Sequence, residues 1–581
     1  MNTHQFVEEY LYAKDWRVRE NSNSPYSFGA LNKHIVAEVS KRYWLDRIYD
    51  EPIRAAHRNG DMHIHDLGGL TLYCCGYSLA AVLRKGVIGV PNIPKSTPAK
   101  HFASVLNQLS NLVTVFQNEI MGAVAFSSVD TYLAPFIKTD NLSFAEVKQS
   151  LQNFIFSINS NSRGGAEPAF SNITLDLSPP EDMKDQPAIV GNTEQAFTYG
   201  ECQQEMDLFN RAFCELMIAG DAQGRPFAYP IPTYNIHKEF DFDHPQHQLL
   251  WEMTGKFGYP YFANFINSDM KPEDARSMCC RLRLDLRELQ RRNGGLFGAG
   301  ESTGSIGVVT INMPRLGYLS RSEEELMERL SKVMDTAKDS LEKKRVFLEE
   351  HVVGTGLIPA FDSYVGTLNN HFHTIGLVGL NEMCLNLLGK DILTPEGKSL
   401  SERVLLFMRT RLMDYQEETE NLYNLEATPA ESTAFRLARI DLRDFPDIIT
   451  QGSTEAPYYT NSCHIPVNSV ASIQQVCEHQ ETLQTKFTGG TVIHLYLKAP
   501  IAAEQAKHIV KSVCTNYSSP YLSLSPLNHY CRDHGYISES CDQCPQCGLP
   551  VEKYQRITGY LRNVAFFNDG KRSEFYDRRQ L

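Results

Sequence analysis

The sequence predicts an α/β fold, with helices packed on a sheet or around a barrel. Strand-like runs precede helical stretches at two places: residues 305–313 before the helix that begins at Ser322, and residues 491–497 before residues 500–515. Such alternation is typical of sheets whose strands are joined by crossover helices. Hydrophobic residues make up 42% and charged residues 22% of the 581-residue chain, which is the balance of a globular protein.

The stretch after Ser322 is the clearest helix. Ser322 is followed by Glu325 at capping-box spacing. Apolar residues then recur at helical intervals, at Leu326, Leu330, Val333, Ala337 and Leu341. We expect this helix to be part of the scaffold.

Charge and hydropathy exclude several classes of protein. The formal net charge is −13, which disfavours binding to nucleic acid or to an anionic membrane through a basic surface. No apolar run approaches the ~18 residues that span a bilayer, and residues 1–6 lack the features of a signal peptide. We therefore expect a cytoplasmic protein, with no membrane or nucleic-acid partner, that holds anionic ligands in a local phosphate pocket.

A composition change near Pro526 predicts two domains, residues 1–525 and 526–581. Four of the 14 cysteines fall within the 17 residues from Cys531 to Cys547. Cys531-x2-His534 and Cys544-x2-Cys547 have the spacing of two zinc knuckles, because a two-residue gap lets a tight turn direct both side chains to one ion. We predict a structural zinc held by these four residues. Two alternatives remain: Cys541 replaces His534 as a ligand, or the cysteines are free thiols.

Gly559 lies in the strand-compatible run from Arg556 to Leu561. The ordinary explanation of such a glycine is a bulge or a close approach of another backbone. Chemistry offers a second one. A radical on a glycine Cα is delocalised by the amide nitrogen and the carbonyl that flank it, and it can pass to a nearby cysteine sulfur.

The sequence Arg-Ile-Thr-Gly-Tyr around Gly559 resembles the Arg-Val-x-Gly-Tyr fingerprint of glycyl radical enzymes. Together with the cysteine cluster, its position resembles the anaerobic (class III) ribonucleoside-triphosphate reductases. Further stretches of the same resemblance are residues 60–67, 277–281, 310–315 and 427–432, and it extends from about Glu20 to the C-terminus. The resemblance implies a ten-stranded α/β barrel, with the C-terminal module carrying Gly559 into its mouth.

The activity implied is anaerobic reduction of ribonucleotides, with triphosphates preferred to diphosphates, by glycyl and thiyl radical chemistry. The resemblance identifies Cys280, rather than Cys279, as the thiyl residue on a loop inside the barrel. It places a second cysteine on the opposite face of the substrate, where Cys74 is preferred to Cys75.

Polar groups for the ribose and the phosphates follow from the same resemblance. Asn312 would hydrogen-bond the ribose hydroxyls, and either Glu426 or Glu431 would be the general base. A loop containing Thr428, Ala430 and Ser432 would offer backbone N–H groups to a phosphate at a helix N-terminus. His63 and His65 alternate with apolar residues without an identified third ligand, which favours a structural role.

The resemblance also implies cofactors and partners. A radical-SAM iron–sulfur protein would install the radical on Gly559, a dNTP effector would bind at the interface of a homodimer, and the chain leaves no room for an N-terminal ATP cone. Residues 548–558 contain no Met, which favours a thioredoxin- or glutaredoxin-like reductant over formate. The competing functions are a formate-lyase-like glycyl radical acyltransferase and a non-catalytic zinc-ribbon binding protein.

Overall fold

Strands from distant parts of the chain assemble into one large sheet. The computed structural model describes residues 3–12, 18, 24, 26–88, 90, 91, 94–160, 167–268 and 302–581. We number the strands of this part in chain order: β1 Met62–Ile64, β2 Cys74–Gly76, β3 Val124–Phe126, β4 Ser171–Leu175, β5 Pro187–Val190, β6 Thr193–Thr198, β7 Ile231–Ile236, β8 Tyr261–Asn264, β9 Gly304–Asn312, β10 His371–Val378, β11 Leu422–Glu426, β12 Gln451–Gly452, β13 Pro457–Tyr458, β14 Ile493–Leu497, β15 Tyr521–Pro526, β16 Asn528–Cys531, β17 Gly535–Ile537, β18 Glu552–Arg556 and β19 Leu561–Asn563.

The α-helices of the same described part are numbered in the same way: α1 Thr3–Leu11, α2 Phe28–Tyr43, α3 Glu51–Asn59, α4 Leu79–Lys85, α5 Phe102–Glu119, α6 Val129–Asp140, α7 Phe144–Ile158, α8 Gln203–Ala219, α9 Gln248–Phe257, α10 Met313–Leu319, α11 Glu323–His351, α12 Pro359–Tyr364, α13 Leu380–Leu388, α14 Pro395–Thr419, α15 Ser432–Asp444, α16 Ile473–Gln484, α17 Ala503–Asn516 and α18 Asp569–Asp577. Within these described residues, no helix is both long and apolar enough to cross a membrane.

The large sheet is a ten-stranded barrel, as the resemblance implies. Its strand order is β11-β10-β9-β2-β3-β4-β7-β8-β15-β14, and β1 pairs beside β9. Neighbours are parallel along β2-β3-β4-β7-β8, along β9-β10-β11 and between β14 and β15, whereas the pairs β2–β9 and β8–β15 are antiparallel. Two parallel halves therefore run in opposite directions. Residues 489 and 490 join the ends of the sheet, because Gly489 N donates to Leu425 O and Ala427 N donates to Gly490 O.

The predicted α/β elements are present where the sequence placed them. The strand predicted over residues 305–313 is β9, and the strand and helix predicted over residues 491–497 and 500–515 are β14 and α17. Ser322 caps α11 by accepting a hydrogen bond from Glu325 N. Of the five apolar positions predicted for that helix, Leu326, Leu330, Ala337 and Leu341 are buried and Val333 is partly buried in the core.

A second, antiparallel sheet follows the barrel in the order β17-β16-β18-β19. The last strand of the barrel, β15, ends at Pro526, and the small sheet begins at Asn528. The strand-compatible run from Arg556 to Leu561 is not a single strand in the structure. β18 ends at Arg556 and β19 begins at Leu561, and Ile557 N donates to Tyr560 O across the turn of a hairpin.

Candidate active site in the barrel

The turn of the β18–β19 hairpin presents Gly559 to the barrel. Gly559 is buried, and its carbonyl oxygen accepts hydrogen bonds from the Tyr261 hydroxyl at 2.7 Å and from Arg556 Nη1 at 3.2 Å. The Tyr261 hydroxyl also lies 3.3 Å from Thr558 O. Among the described glycines, Gly559 is not one of those with a left-handed backbone. Its φ angle therefore does not explain why a glycine is needed at this position.

Arg578, just after the C-terminal helix α18, fixes the base of the hairpin. Its guanidinium donates to the carbonyls of Arg556 and Ile557, both at 3.0 Å, and to Glu574 at 2.8 Å. It also lies 3.9 Å from the centre of the Tyr496 ring. Burial raises the pKa of Glu574, but the charges of Lys571 and Arg578 outweigh this and hold the pKa below its usual range. The negative charge of Glu574 thus compensates the buried positive charge of Arg578.

The hairpin turn separates two cavities. Gly559 and Tyr261 line the inner one, together with side chains of β4 and β7 that include Asn172, Thr233 and Asn235. Thr558 lines the outer one, which is larger and is bordered by His464, Lys571 and Glu574 among others. The inner cavity gives a substrate atom or a cysteine side chain a place next to Gly559.

Cys74 and Cys75 belong to different clusters of side chains. Cys75 lies in the main hydrophobic core, where burial raises the pKa of its thiol well above the usual value. Cys74 packs instead with Ala123, Ala125, Phe372 and Leu422, and Phe170 packs against this group. Phe170 also lines the Gly559 cavity, and its ring centre is 5.6 Å from that of Tyr560. The cluster of Cys74 therefore borders the cavity.

Cys279 and Cys280 lie outside the described residues, as do residues 298–301 of the glycine-rich stretch before β9. The thiyl role of Cys280 stays a prediction.

Asn312 occupies the end of β9, and its amide is engaged in a buried network. Its Nδ2 donates to Gly60 O and to Asp441, both at 2.8 Å, and its Oδ1 accepts from Arg315 N. Arg315 donates to Asp441 at 2.7 Å. These contacts give Asn312 a structural task at the start of α10, and the ribose-binding role stays a prediction. No motif in the sequence indicated that Asp441 belongs to this network.

The two candidate general bases occupy different environments. Glu426 is the last residue of β11, and Glu431 immediately precedes α15. The pKa of Tyr560 is raised well above its usual value, first by burial and then by the negative charge of Glu431. Of the two carboxylates, Glu431 is therefore the one whose charge acts on the hairpin turn.

The predicted phosphate loop lies between β11 and α15. Thr428 Oγ1 accepts a hydrogen bond from Thr310 at 3.1 Å. Ala430 N donates to Asn461 Oδ1 at 2.9 Å, so this N–H is already used, and Ser432 opens α15. The phosphate-binding role of Thr428, Ala430 and Ser432 stays a prediction.

A histidine cluster adjoins this loop. His65 Nε2 lies 2.7 Å from Thr310 Oγ1, and His63 Nδ1 lies 3.2 Å from Arg436. Burial is the main cause that lowers the pKa of His65 to about 3. A neutral His65 thus extends the hydrogen-bonded pair of Thr310 and Thr428. The alternation of His63 and His65 with apolar residues did not predict these contacts.

The four predicted zinc ligands come together in the small sheet. The ligand atoms of Cys531, His534, Cys544 and Cys547 all lie within 4.8 Å of one another. Cys531 Sγ is 3.5 Å from His534 Nδ1 and 3.6 Å from Cys547 Sγ. A tetrahedral zinc with ordinary bond lengths separates its ligand atoms by about 3.5–3.8 Å. Of the two ligand sets considered, the geometry favours the one with His534 over the one with Cys541.

Comparisons with known proteins identify the family to which this fold belongs. The family model described as anaerobic ribonucleoside-triphosphate reductase matches residues 20–580. The anaerobic ribonucleoside-triphosphate reductase of Escherichia coli (strain K12) is 24% identical over 96% of this chain and 82% of its own length.

The fold is similar to those of solved anaerobic ribonucleotide reductases. The anaerobic ribonucleotide reductase from Thermotoga maritima with glycerol in its active site has a TM-score of 0.79 at 21% identity, covering 99% of this chain and 94% of that one. The same protein in complex with dATP and CTP has a TM-score of 0.75 at 19% identity and covers 98% of both chains.

The barrel of two opposed halves, with a glycine hairpin buried inside it, is thus the fold of these anaerobic ribonucleotide reductase structures. The chain belongs to the anaerobic ribonucleoside-triphosphate reductase family, and it is an oxidoreductase that reduces ribonucleotides. This result sets aside the acyltransferase and the non-catalytic zinc-ribbon alternatives.

Proposed function

We propose that this chain reduces ribonucleoside triphosphates by storing a radical on Gly559 and using it to generate a thiyl on Cys280. The observation that carries the proposal is the hairpin turn, which buries Gly559 against a cavity inside the barrel. The absent side chain lets the Cα become planar, and the flanking amides delocalise the unpaired electron. Replacement of Gly559 by any other residue would add a side chain at this centre.

The proposed reaction consumes two thiols. The Cys280 thiyl removes the 3′ hydrogen of the ribose, and Glu431 accepts the 3′-hydroxyl proton. The 2′-hydroxyl leaves as water, and Cys74 and Cys280 supply two electrons and two hydrogens as they form a disulfide. Because Cys280 is then held in the disulfide, the last hydrogen atom passes to the 3′ carbon from Gly559, which had taken one from Cys280, and this restores the glycyl radical. The net change is ribonucleotide plus two thiols to deoxyribonucleotide, water and disulfide.

The contacts of Cys74 and Glu431 support these roles. The cluster of Cys74 borders the Gly559 cavity through Phe170, and the charge of Glu431 acts on Tyr560, the residue after Gly559. The start of α15 supplies backbone N–H groups for the phosphates. Asn312 would orient the ribose from the end of β9.

Three kinds of partner complete the proposal. A radical-SAM iron–sulfur protein removes a hydrogen atom from Gly559, and a thioredoxin- or glutaredoxin-like protein reduces the disulfide, with formate as the alternative reductant. A dNTP effector bound between two copies of the chain tunes specificity, in line with the dATP in the Thermotoga maritima complex. The CTP of that complex supports a triphosphate substrate.

We further propose a cytoplasmic location and a zinc ion in the small sheet. No two of the described cysteines form a disulfide, which is consistent with a reducing compartment. Cys531, His534, Cys544 and Cys547 would hold the zinc in a closed tetrahedral site, which stabilises the module that carries Gly559 and leaves no position open for substrate.

Replacing Gly559 with Ala tests the radical. After anaerobic treatment with an activase, SAM and a reductant, we expect an electron paramagnetic resonance (EPR) doublet from the parent chain and none from Gly559→Ala, because the variant has a methyl group where the radical centre must be planar and shielded. Deoxyribonucleotide formation should be lost with it. A doublet of equal size in the variant would contradict the proposal.

The pair Cys74→Ala and Cys75→Ala tests the second thiol. We expect Cys74→Ala to form the radical normally but to lose turnover by about 10²-fold or more, because the disulfide can no longer form. Cys75→Ala should keep turnover and lose about 1 kcal/mol of unfolding free energy to the small cavity left in the core. Anaerobic turnover assays and denaturant titrations measure both effects. The reverse pattern would transfer the role to Cys75.

Metal analysis tests the ligand set. We expect one zinc per parent chain, almost none in Cys544→Ser, and full zinc in Cys541→Ser, because Cys544 belongs to the four-atom cluster and Cys541 does not. Elemental analysis of the purified chains gives the content directly. Loss of zinc from Cys541→Ser with retention in His534→Ala would establish the all-cysteine alternative.

A further inference from the structure

One oxygen atom, the carbonyl oxygen of Gly559, accepts two hydrogen bonds from buried donors. The Tyr261 hydroxyl reaches it at 2.7 Å and Arg556 Nη1 at 3.2 Å. Tyr261 and Arg556 are at most 2% exposed. A carbonyl has two lone pairs, so this oxygen is saturated.

The two donors also hold each other in place. The Arg556 guanidinium lies 4.2 Å from the centre of the Tyr261 ring, and its Nη2 donates to Gly258 O at 2.6 Å. Arg556 arrives with the hairpin, whereas Tyr261 belongs to β8 of the barrel. The barrel residue Tyr261 can therefore hydrogen-bond Gly559 only while the hairpin is inserted in the barrel.

We propose that Tyr261 is a positioning residue for the radical, which docks Gly559 in the barrel and polarises the Gly559 carbonyl. The inference rests on the proposed glycyl radical. Such a radical is delocalised because the amide nitrogen donates electron density and the carbonyl withdraws it. A hydrogen bond to the carbonyl oxygen strengthens the withdrawal, and it does so most in a buried site with a charged donor nearby.

Two consequences follow for Gly559. Unpaired spin moves from Cα onto the flanking amide groups, which lowers the coupling to the remaining α hydrogen. The hydrogen atom also becomes easier to remove, because the radical gains more from the hydrogen bond than the parent glycine does. Both effects depend on the donor strength of the phenol, and a purely structural tyrosine would produce neither.

The test compares Tyr261→Phe with the parent chain and with Tyr554→Phe. Tyr554 is a matched control. It lies in the same C-terminal module as Gly559, but its hydroxyl contacts Glu552, at 3.3 Å, instead of Gly559. In Tyr261→Phe we expect a wider EPR doublet. We also expect the radical yield at limiting activase to be about 2- to 10-fold lower, because the free energy of one hydrogen bond corresponds to an equilibrium change of that size. Tyr554→Phe should match the parent in both quantities.

A second variant separates donor strength from packing. Incorporation of 3-fluorotyrosine at position 261 keeps the shape of the ring and makes the phenol a stronger donor, so the doublet should become narrower than that of the parent. An unchanged splitting in both the phenylalanine and the fluorotyrosine chains would overturn the inference. If Tyr261→Phe does not fold, the fluorotyrosine chain alone decides. A parent chain that forms no doublet contradicts the proposed function instead, so the two failures are distinguishable.

Discussion

The buried backbone carbonyls of the hairpin turn impose the constraint on which the site depends. Four successive carbonyls, from Arg556 to Gly559, enter the barrel, and each would cost free energy if it lacked a donor. Arg578 serves the first two and Tyr261 the last two, with Arg556 adding a second bond at Gly559. The hairpin is thereby held where Gly559 lines the inner cavity.

The opposed halves of the barrel explain how strands from remote parts of the sequence come together around that cavity. Cys74 comes from β2 at one antiparallel junction, Tyr261 comes from β8 at the other, and Glu431 follows β11. No short stretch of sequence contains all three of these residues. The small sheet adds the hairpin itself, and its four-atom cluster of potential zinc ligands lies between the strands of that module.

Local patterns predicted the local features. The Ser322 cap, the α/β alternation and the preferred set of four metal ligands depend on residues close in sequence, and the structure contains each arrangement. The ten strands and the buried Gly559 followed only from family resemblance. The partners Tyr261 and Arg578 could not be predicted, because their contacts with the hairpin depend on how the barrel closes. The same holds for Asp441, which binds Asn312 and Arg315 across more than a hundred residues. The turn at residues 557–560 could not be recognised from the sequence, because its side chains are also compatible with a strand.

The central claim is that a radical on the buried Gly559 drives ribonucleotide reduction in the barrel. The most direct test follows deoxyribonucleotide formation and the EPR doublet in the same anaerobic sample while small, measured amounts of air are admitted. The account predicts that the rate of product formation falls in proportion to the doublet and reaches zero with it. Turnover that continues after the doublet has disappeared would contradict the account.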